Sequence, residues 1–235
     1  MRTAMDLPEW ANIASLWPEW WRMEATMPSP LEGQPAWALL ESYSTDGLLG
    51  QLTKLLEELG SSLPEVNHDS ITVDESDGIV HIHPQAIIEP GSHFIGPCFV
   101  GEGAKVRHGA YLRQGSWIAE LAKVGHASEI KHSLLMPRSQ APHFNYIGDS
   151  LVGYGANLGA GVKLSNLRHD DGPVRVKFGD ELIPSGLRKF GALIGSGVKL
   201  GCNTVTNPGT ILGQGCMSSP NTTITGAHPP ESILR

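Results

Sequence analysis

Nine apolar residues stand six apart without a break: Ile82, Ile88, Phe94, Val100, Val106, Leu112, Ile118, Val124 and Ile130. A helical face repeats every ~3.6 residues and a strand face every two, so neither an amphipathic helix nor a hairpin meander produces this spacing. Small residues follow four positions later, as at Ser92, Ala104, Ala110 and Ser128. Glycine often follows directly, as in Val100-Gly101, Val124-Gly125, Val152-Gly153 and Leu158-Gly159. After slips in register the pattern resumes at Val152, Leu158 and Leu164, and again at Ile194 and Leu200. A sustained hexapeptide period predicts a parallel β-helix. Each repeated aliphatic points inward, the small residue packs beside it, and Gly or Asn takes the corner conformations with positive φ.

Composition divides the chain. Of its 28 glycines, five lie in residues 1–78 and 23 in residues 79–235, whereas five of six tryptophans (Trp10, Trp17, Trp20, Trp21, Trp37) precede residue 38. A helical N-terminal extension is expected over 1–78 and the β-helix over 79–235. Leu48, Leu49, Leu52, Leu55, Leu56 and Leu59 form one apolar helical stripe, with Thr45 or Asp46 as its cap and Gly60 as its stop. A weaker helix is expected over Trp37 to Tyr43, and irregular chain over 1–33. The tryptophans are read either as a partner surface or as packing on the neighbouring domain or a sister subunit. The net charge of −7 without any basic cluster argues against nucleic acid. No apolar run reaches the ~18 residues of a membrane span, and the start lacks the pattern of a secretory signal. A cytoplasmic protein is expected, with Cys98, Cys202 and Cys216 as free thiols.

The second region resembles the left-handed β-helix family of hexapeptide-repeat acyltransferases. Residues 79–226 are most similar to the acetyltransferase domain of the bifunctional enzymes that acetylate glucosamine-1-phosphate and then attach a nucleotide. The resemblance is carried by Ala141-Pro-His-Phe-Asn-Tyr-Ile-Gly-Asp-Ser150, by Gly155-Ala-Asn-Leu-Gly-Ala-Gly161 and by Ser165-Asn-Leu-Arg168. It implies triangular coils of three hexapeptides, a homotrimer, acetyl-CoA as co-substrate and an amino-sugar phosphate as acceptor. Such an activity belongs to UDP-GlcNAc biosynthesis for the cell envelope.

The same resemblance implies the site. His143, on the stretch where the period breaks, is the general base, since an ammonium has no lone pair and an imidazole titrates near ~6.5. Asn166 is implied as the oxyanion donor. Glu129 is implied beside the base, hydrogen-bonding the amine or orienting the imidazole. Tyr146 and Asn157 would hold the sugar, and Ala160 and Ser196 would let the pantetheine lie close. Arg113 and Lys131 are 18 residues apart, so one coil stacks them about 5 Å apart. Two cations so placed, without a carboxylate between them, repel unless an anion bridges them, and the family uses such a pair on the sugar phosphate. No metal is needed for this step.

Three departures bear on this reading. Residues 1–78 contain no Leu-x-x-Gly-x-Gly-Thr phosphate loop, so nucleotide transfer is expected to need a separate nucleotidyltransferase, and the basic C-terminal tail of the better-known bacterial enzymes is absent. The repeats are interrupted over about 167–192, where a projecting loop is expected, its Arg188 and Lys189 reaching the CoA phosphates. Two other classes fit the same β-helix. One is a non-catalytic sugar-nucleotide sensor or assembly module. The other is a γ-type carbonic anhydrase, which needs three converging histidines, imaginable as His108, His126 and His132; the first two would instead stack within one chain.

Overall fold

The computed structural model describes residues 7–23, 26–64 and 70–235. Its centre is a left-handed parallel β-helix whose three walls are each an eight-stranded sheet. Strands of two to four residues follow one another around the prism, so each pairs with the strand one coil before and one coil after. The first wall runs through Thr72–Asp74, His93–Ile95, Tyr111–Leu112, Glu129–Lys131, Tyr146–Gly148 and Lys163–Leu164 to Val205–Thr206 and Thr223–Ile224. The second begins at Val80–Ile82 and the third at Ile87–Ile88. The strand Thr72–Asp74 pairs with His93–Ile95, so the solenoid starts ahead of Gly78. Inside, the period-six residues stack into one buried column of Val, Ile, Leu, Ala and Phe.

The coils are not all 18 residues long. Cys98 pairs with Ser116 at 18 residues, but Ser116 pairs with Ser133 and Leu134 with Leu151 at 17. The period therefore does not break at His143: Leu135, Ala141 and Ile147 continue the buried column. The missing residues fall instead at the corners between the first and second walls, where His132 and Asp149 each make the turn with positive φ (44° and 46°).

The second wall is buried on both faces. Its outward side chains Phe99, Trp117, Leu134, Leu151, Leu193 and Ile211 share a second core with Trp17, Trp20, Trp37, Leu48, Leu52 and Leu56 of the N-terminal segment. That segment has no core of its own and is folded onto the prism in cis. Within the stretch expected to be irregular lie short helical turns at Glu9–Ala11, Ile13–Leu16 and Trp20–Arg22; residues 1–6 and 24–25 of it fall outside the described residues. The Asn12 side chain accepts from Ser15 N at 2.7 Å, which starts the second of these turns. Ala36–Leu40 is a 3₁₀ turn. The leucine helix spans Leu48–Leu59, and Gly60 ends it as expected. Its cap is Gly47 with no side-chain bond rather than Thr45 or Asp46, because the helix begins where the chain turns tightly against the Glu41 carbonyl, leaving no room for a Cβ at 47.

The 167–192 insertion does not project. Its hairpin, Arg175–Phe178 against Glu181–Pro184, folds back so that Val174, Val176, Phe178, Ile183 and Phe190 enter the same second core. Phe178 and Phe190 meet Trp10 and Trp37, each at 6.0 Å between ring centroids. Cys98, Cys202 and Cys216 are free. Among the described residues no helix is long and apolar enough to cross a membrane.

Polar anchors fix the N-terminal segment on its wall: Trp17 Nε1 donates to the Ile194 carbonyl at 2.8 Å and Trp117 Nε1 to the Thr26 carbonyl at 3.0 Å. Trp17 is fully buried, so Trp17→Ala removes a large apolar volume and one hydrogen bond, leaving the Ile194 carbonyl with Gly153 N alone. It is expected to lower unfolding free energy by about 3–5 kcal/mol, measured by urea titration. A loss below about 1 kcal/mol would mean that the segment packs only loosely.

Candidate active site

The outward side chains of the first and third walls stay open, and the first wall alternates half-buried, buried, half-buried at Glu129–Lys131. Register stacks Tyr111, Glu129, Tyr146 and Lys163 in one outward column. Arg113 and Lys131 stack in the next, as their 18-residue spacing predicts, since Leu112 pairs with Ile130. The expectation that these cations lack a carboxylate is corrected. Arg113 Nη1 donates to Glu129 Oε1 at 2.9 Å, and Lys131 Nζ donates to both oxygens of Asp149 at 3.1 Å. Mutual repulsion of the pair therefore gives no argument for a bridging phosphate. The hydrogen bond from Glu129 also holds the Arg113 guanidinium above its usual range, against partial desolvation. Glu129 is thus a partner of Arg113, and among the described residues no hydrogen bond links it to His143.

Asp149 is the hub of the site. It is 1% exposed and accepts from Lys131, from His132 Nδ1 at 2.9 Å, and from Asn166 Nδ2. An ionised carboxylate can only accept, so the proton of His132 sits on Nδ1, and its buried Nε2 has no partner. Tyr146 Oη donates to Asn166 Oδ1 at 3.4 Å, extending the network to the outward column. Partial burial pushes the Tyr146 phenol up, which keeps its proton available for that bond. Gly148 makes room: a Cβ there would lie 2.6 Å from Asn166 Nδ2 and 2.7 Å from Tyr146 Oη. Burial alone would push the Asp149 carboxyl up, but the His132 bond, the Lys131 charge and the Asn166 bond outweigh it and hold the acid below the usual carboxylate range. Tyr146 and Asn166, with Arg168, His169 and Asn207, line an open cleft of about 530 Å³.

His143 lies at the corner between the third and first walls. Its backbone is pinned on both sides, its N–H donating to Asn145 Oδ1 at 3.1 Å and its carbonyl accepting from Gly161 N at 2.9 Å. The imidazole itself is exposed. Register places His126 one coil below it, and Gln140 pairs with Asn157 in the coil above, so Ala160 stacks on His143. Asn157 pairs in turn with Lys199, which stacks Cys202 on Ala160, a coil rising ~4.8 Å each time. Asn157 itself is half-buried on the third wall, one strand from that corner.

Ser196 is elsewhere. It occupies the corner between the second and third walls, where its N–H donates to the Leu16 carbonyl at 2.9 Å and its Oγ to Glu19 Oε2 at 2.7 Å. The N-terminal segment covers it, and it lies at a different corner from Ala160, on which exposed Cys202 stacks. His108 and His126 stack at 5.4 Å on the His143 edge, while His132 sits at a different corner, so these three imidazoles do not converge. The sequence points to His132 only as one of three imaginable zinc histidines and gives Asp149 no role of its own. Their signal was the five-residue step from Ile130 to Leu135, repeated from Ile147 to Val152, which marks the two shortened corners.

An open prism wall carrying an amide, a phenol and a cation around one buried carboxylate, beside an exposed histidine, defines an acyl-transfer scaffold of the β-helix type. No protein-family model matches the chain. It is 38% identical over 125 residues to the bifunctional protein GlmU of Methanococcus aeolicus, covering 53% of this chain and 30% of that one. It is 36% identical over 136 residues to a bifunctional sugar-1-phosphate nucleotidylyltransferase/acetyltransferase of Sulfurisphaera tokodaii, covering 58% and 34%. The chain thus spans about a third of the length of these two relatives. To the uncharacterized acetyltransferase YaiX of Escherichia coli it is 30% identical over 206 residues, covering 87% of this chain and 79% of that one. The chain belongs to the hexapeptide-repeat acetyltransferases.

Asp149→Asn keeps the shape of the hub and removes its charge, leaving Lys131 without its partner. Breaking a buried pair this way costs about 3–5 kcal/mol. Because the acid is depressed in the folded state, its contribution is present above about pH 4 and lost as pH falls below that. Wild type is therefore expected to lose stability on acidification through that range, with a shallower slope in Asp149→Asn, read from urea midpoints between pH 3 and pH 7 (about the carboxylate window). Equal slopes would mean that the hub carboxylate does not titrate with unfolding.

Proposed function

We propose that the protein is an acetyl-CoA-dependent N-acetyltransferase acting on glucosamine-1-phosphate or a related amino-sugar phosphate. The observation that carries the reading is the His143–Ala160–Cys202 corner lying beside the Tyr146–Asn166 cleft. His143 and the small residues stacked on it, Ala160 and Cys202, stand at the corner between the third and first walls, and Asn166 stands at the opposite end of the first wall, beside Asp149.

In this reading His143 takes a proton from the acceptor ammonium. The freed amine attacks the thioester carbonyl, forming the N–C bond. The resulting oxyanion needs a donor, and Asn166 has one: a single Nδ2 hydrogen is committed to Asp149, and the other is available. Removing such a donor costs roughly 3–4 kcal/mol in enzymes that use one. Collapse breaks the C–S bond: the first proton has passed from His143 to solvent, the second leaves the nitrogen for His143 as the amide forms, and His143 hands it to the departing thiolate. Tyr146, Asn157 and Lys131 hold the acceptor. Ala160 and Cys202 flank the thioester arm, with Ser196 excluded by its cover. The homotrimer implied by sequence is part of the proposal, since the His143 edge is left open by the N-terminal segment.

The test is release of free thiol from acetyl-CoA with glucosamine-1-phosphate and its epimer galactosamine-1-phosphate. Acetylation of either is expected, with His143→Ala lowering kcat by at least about 10²-fold at an unchanged melting temperature. No thiol release from any hexosamine phosphate would overturn the enzyme reading in favour of a binding module; full activity in His143→Ala would overturn the mechanism alone.

A further inference from the structure

Two side chains of the Tyr146–Asn166 cleft take no part in the network around Asp149. Ile147 pairs with Leu164 and Leu164 with Thr206, so Ser165 stands one coil above Gly148 on the outer face of the first wall, and Asn207 one coil above Ser165. Both line the cleft. Ser165 N donates to the Thr206 carbonyl at 3.1 Å, while its half-buried hydroxyl makes no hydrogen bond among the described residues. Asn207 is exposed and donates through Nδ2 to Thr225 Oγ1 at 2.6 Å. That bond directs its Oδ1 away from Thr225 and leaves the oxygen without a partner among the described residues.

The lysines and the arginine nearest this cleft are all engaged. Arg168 donates to Asp170 through Nε at 2.8 Å and also through Nη2. Lys163, which stacks on Tyr146, is turned to the corner, where its Nζ donates to the Gly161 carbonyl at 2.7 Å. Lys131, two coils below Ser165, belongs to Asp149. What the cleft offers is therefore hydroxyl, amide and phenol, with the exposed His169 imidazole in its lining. Such a lining matches an uncharged ligand surface that itself carries hydroxyls. An amide oxygen only accepts, whereas the serine hydroxyl both donates and accepts. Successive coils set the two groups ~4.8 Å apart, so one sugar ring can meet both through different hydroxyls.

Building on the N-acetyltransferase reading above, we propose that Ser165 and Asn207 read the ring hydroxyls of the acceptor, and that Asn207 sets which hexosamine epimer is acetylated. Glucosamine and galactosamine phosphates differ only in the direction of one hydroxyl. Hydrogen bonds weaken steeply off axis, so a fixed acceptor is met by one direction and missed by the other. A site that hydrogen-bonds a substrate hydroxyl rejects the analogue lacking it there, because its own polar group is then left unpaired. Asn207 is fixed in this way. Its N–H donates to the Ile224 carbonyl at 2.8 Å, its carbonyl accepts from Thr210 Oγ1 at 2.7 Å, and Thr225 holds its side chain. Pro208 follows it and restricts its backbone further.

The experiment measures initial rates with glucosamine-1-phosphate and galactosamine-1-phosphate on the full chain and on Asn207→Leu, Asn207→Asp and Ser165→Ala. Wild type is expected to favour one epimer. Asn207→Leu keeps the size and removes the acceptor, so KM for that epimer is expected to rise about tenfold with KM for the other unmoved. Asn207→Asp keeps an acceptor and is expected to keep the preference. Ser165→Ala is expected to raise KM for both epimers. KM for acetyl-CoA and melting temperatures are expected to stay unchanged throughout. Saturation-transfer NMR with N-acetylglucosamine and N-acetylgalactosamine reads the cleft without turnover: wild type is expected to bind the sugar of the favoured epimer, and Asn207→Leu to lose it. A preference unaltered in Asn207→Leu, or absent in wild type, overturns the role of Asn207, and an unmoved KM in Ser165→Ala overturns that of Ser165. A rise in KM for acetyl-CoA in place of the acceptor gives the cleft to the cofactor and overturns both. If no hexosamine phosphate is acetylated, the proposed reaction fails. The NMR titration still decides the cleft, and sugar binding that is absent, or indifferent to Asn207→Leu, overturns it.

Discussion

Parallel stacking of short strands around a closed triangle is the constraint on which the rest of this structure depends. A strand of two or three residues has too little surface to be stable alone, so each coil is held by the coil below and the coil above, in a quasi-one-dimensional stack. The inward aliphatics bury continuously only if every coil keeps its register. That requirement turns a one-dimensional spacing into rows and columns on the outside of the prism. Glu129, Tyr146 and Lys163 share an outward column for this reason and no other.

Which walls are open follows from what covers the second. The second wall carries large apolar side chains outward, Phe99, Trp117 and Leu134 among them, and could not face water at an acceptable free energy. The tryptophan-rich segment and the insertion hairpin bury it in cis. The low charge of the chain thus reflects a face hidden by its own extension. The cover also removes Ser196 from any groove and leaves the first wall and the His143 edge accessible.

At the open wall the shortening of two consecutive corners does chemical work. His132 and Asp149 take the left-handed turn that other corners take as well, and their side chains are buried against each other. A carboxylate in that position must collect donors, and it collects Lys131, His132 and Asn166. Coupling through Asp149 fixes the geometry of two residues that the reaction would use. His132 is buried with it, and its Nε2 has no hydrogen-bond partner among the described residues.

By itself the sequence determined the parallel β-helix, because a period of six buried aliphatics fits no other regular backbone. It also determined the stacking of Arg113 on Lys131, the free thiols, and the residues of the His-x-x-Tyr-x-Gly-Asp stretch, since each of these is set by spacing or by a local motif. Only the tertiary structure decided that Glu129 neutralises Arg113 and that Asp149 neutralises Lys131, because an ion pair depends on which side chains a corner brings within ~3 Å. That Cys202, rather than Ser196, stacks above Ala160 was decided there too. It depends on how many residues the insertion adds between paired strands, and 42 between Asn157 and Lys199 is a number that no local pattern reveals.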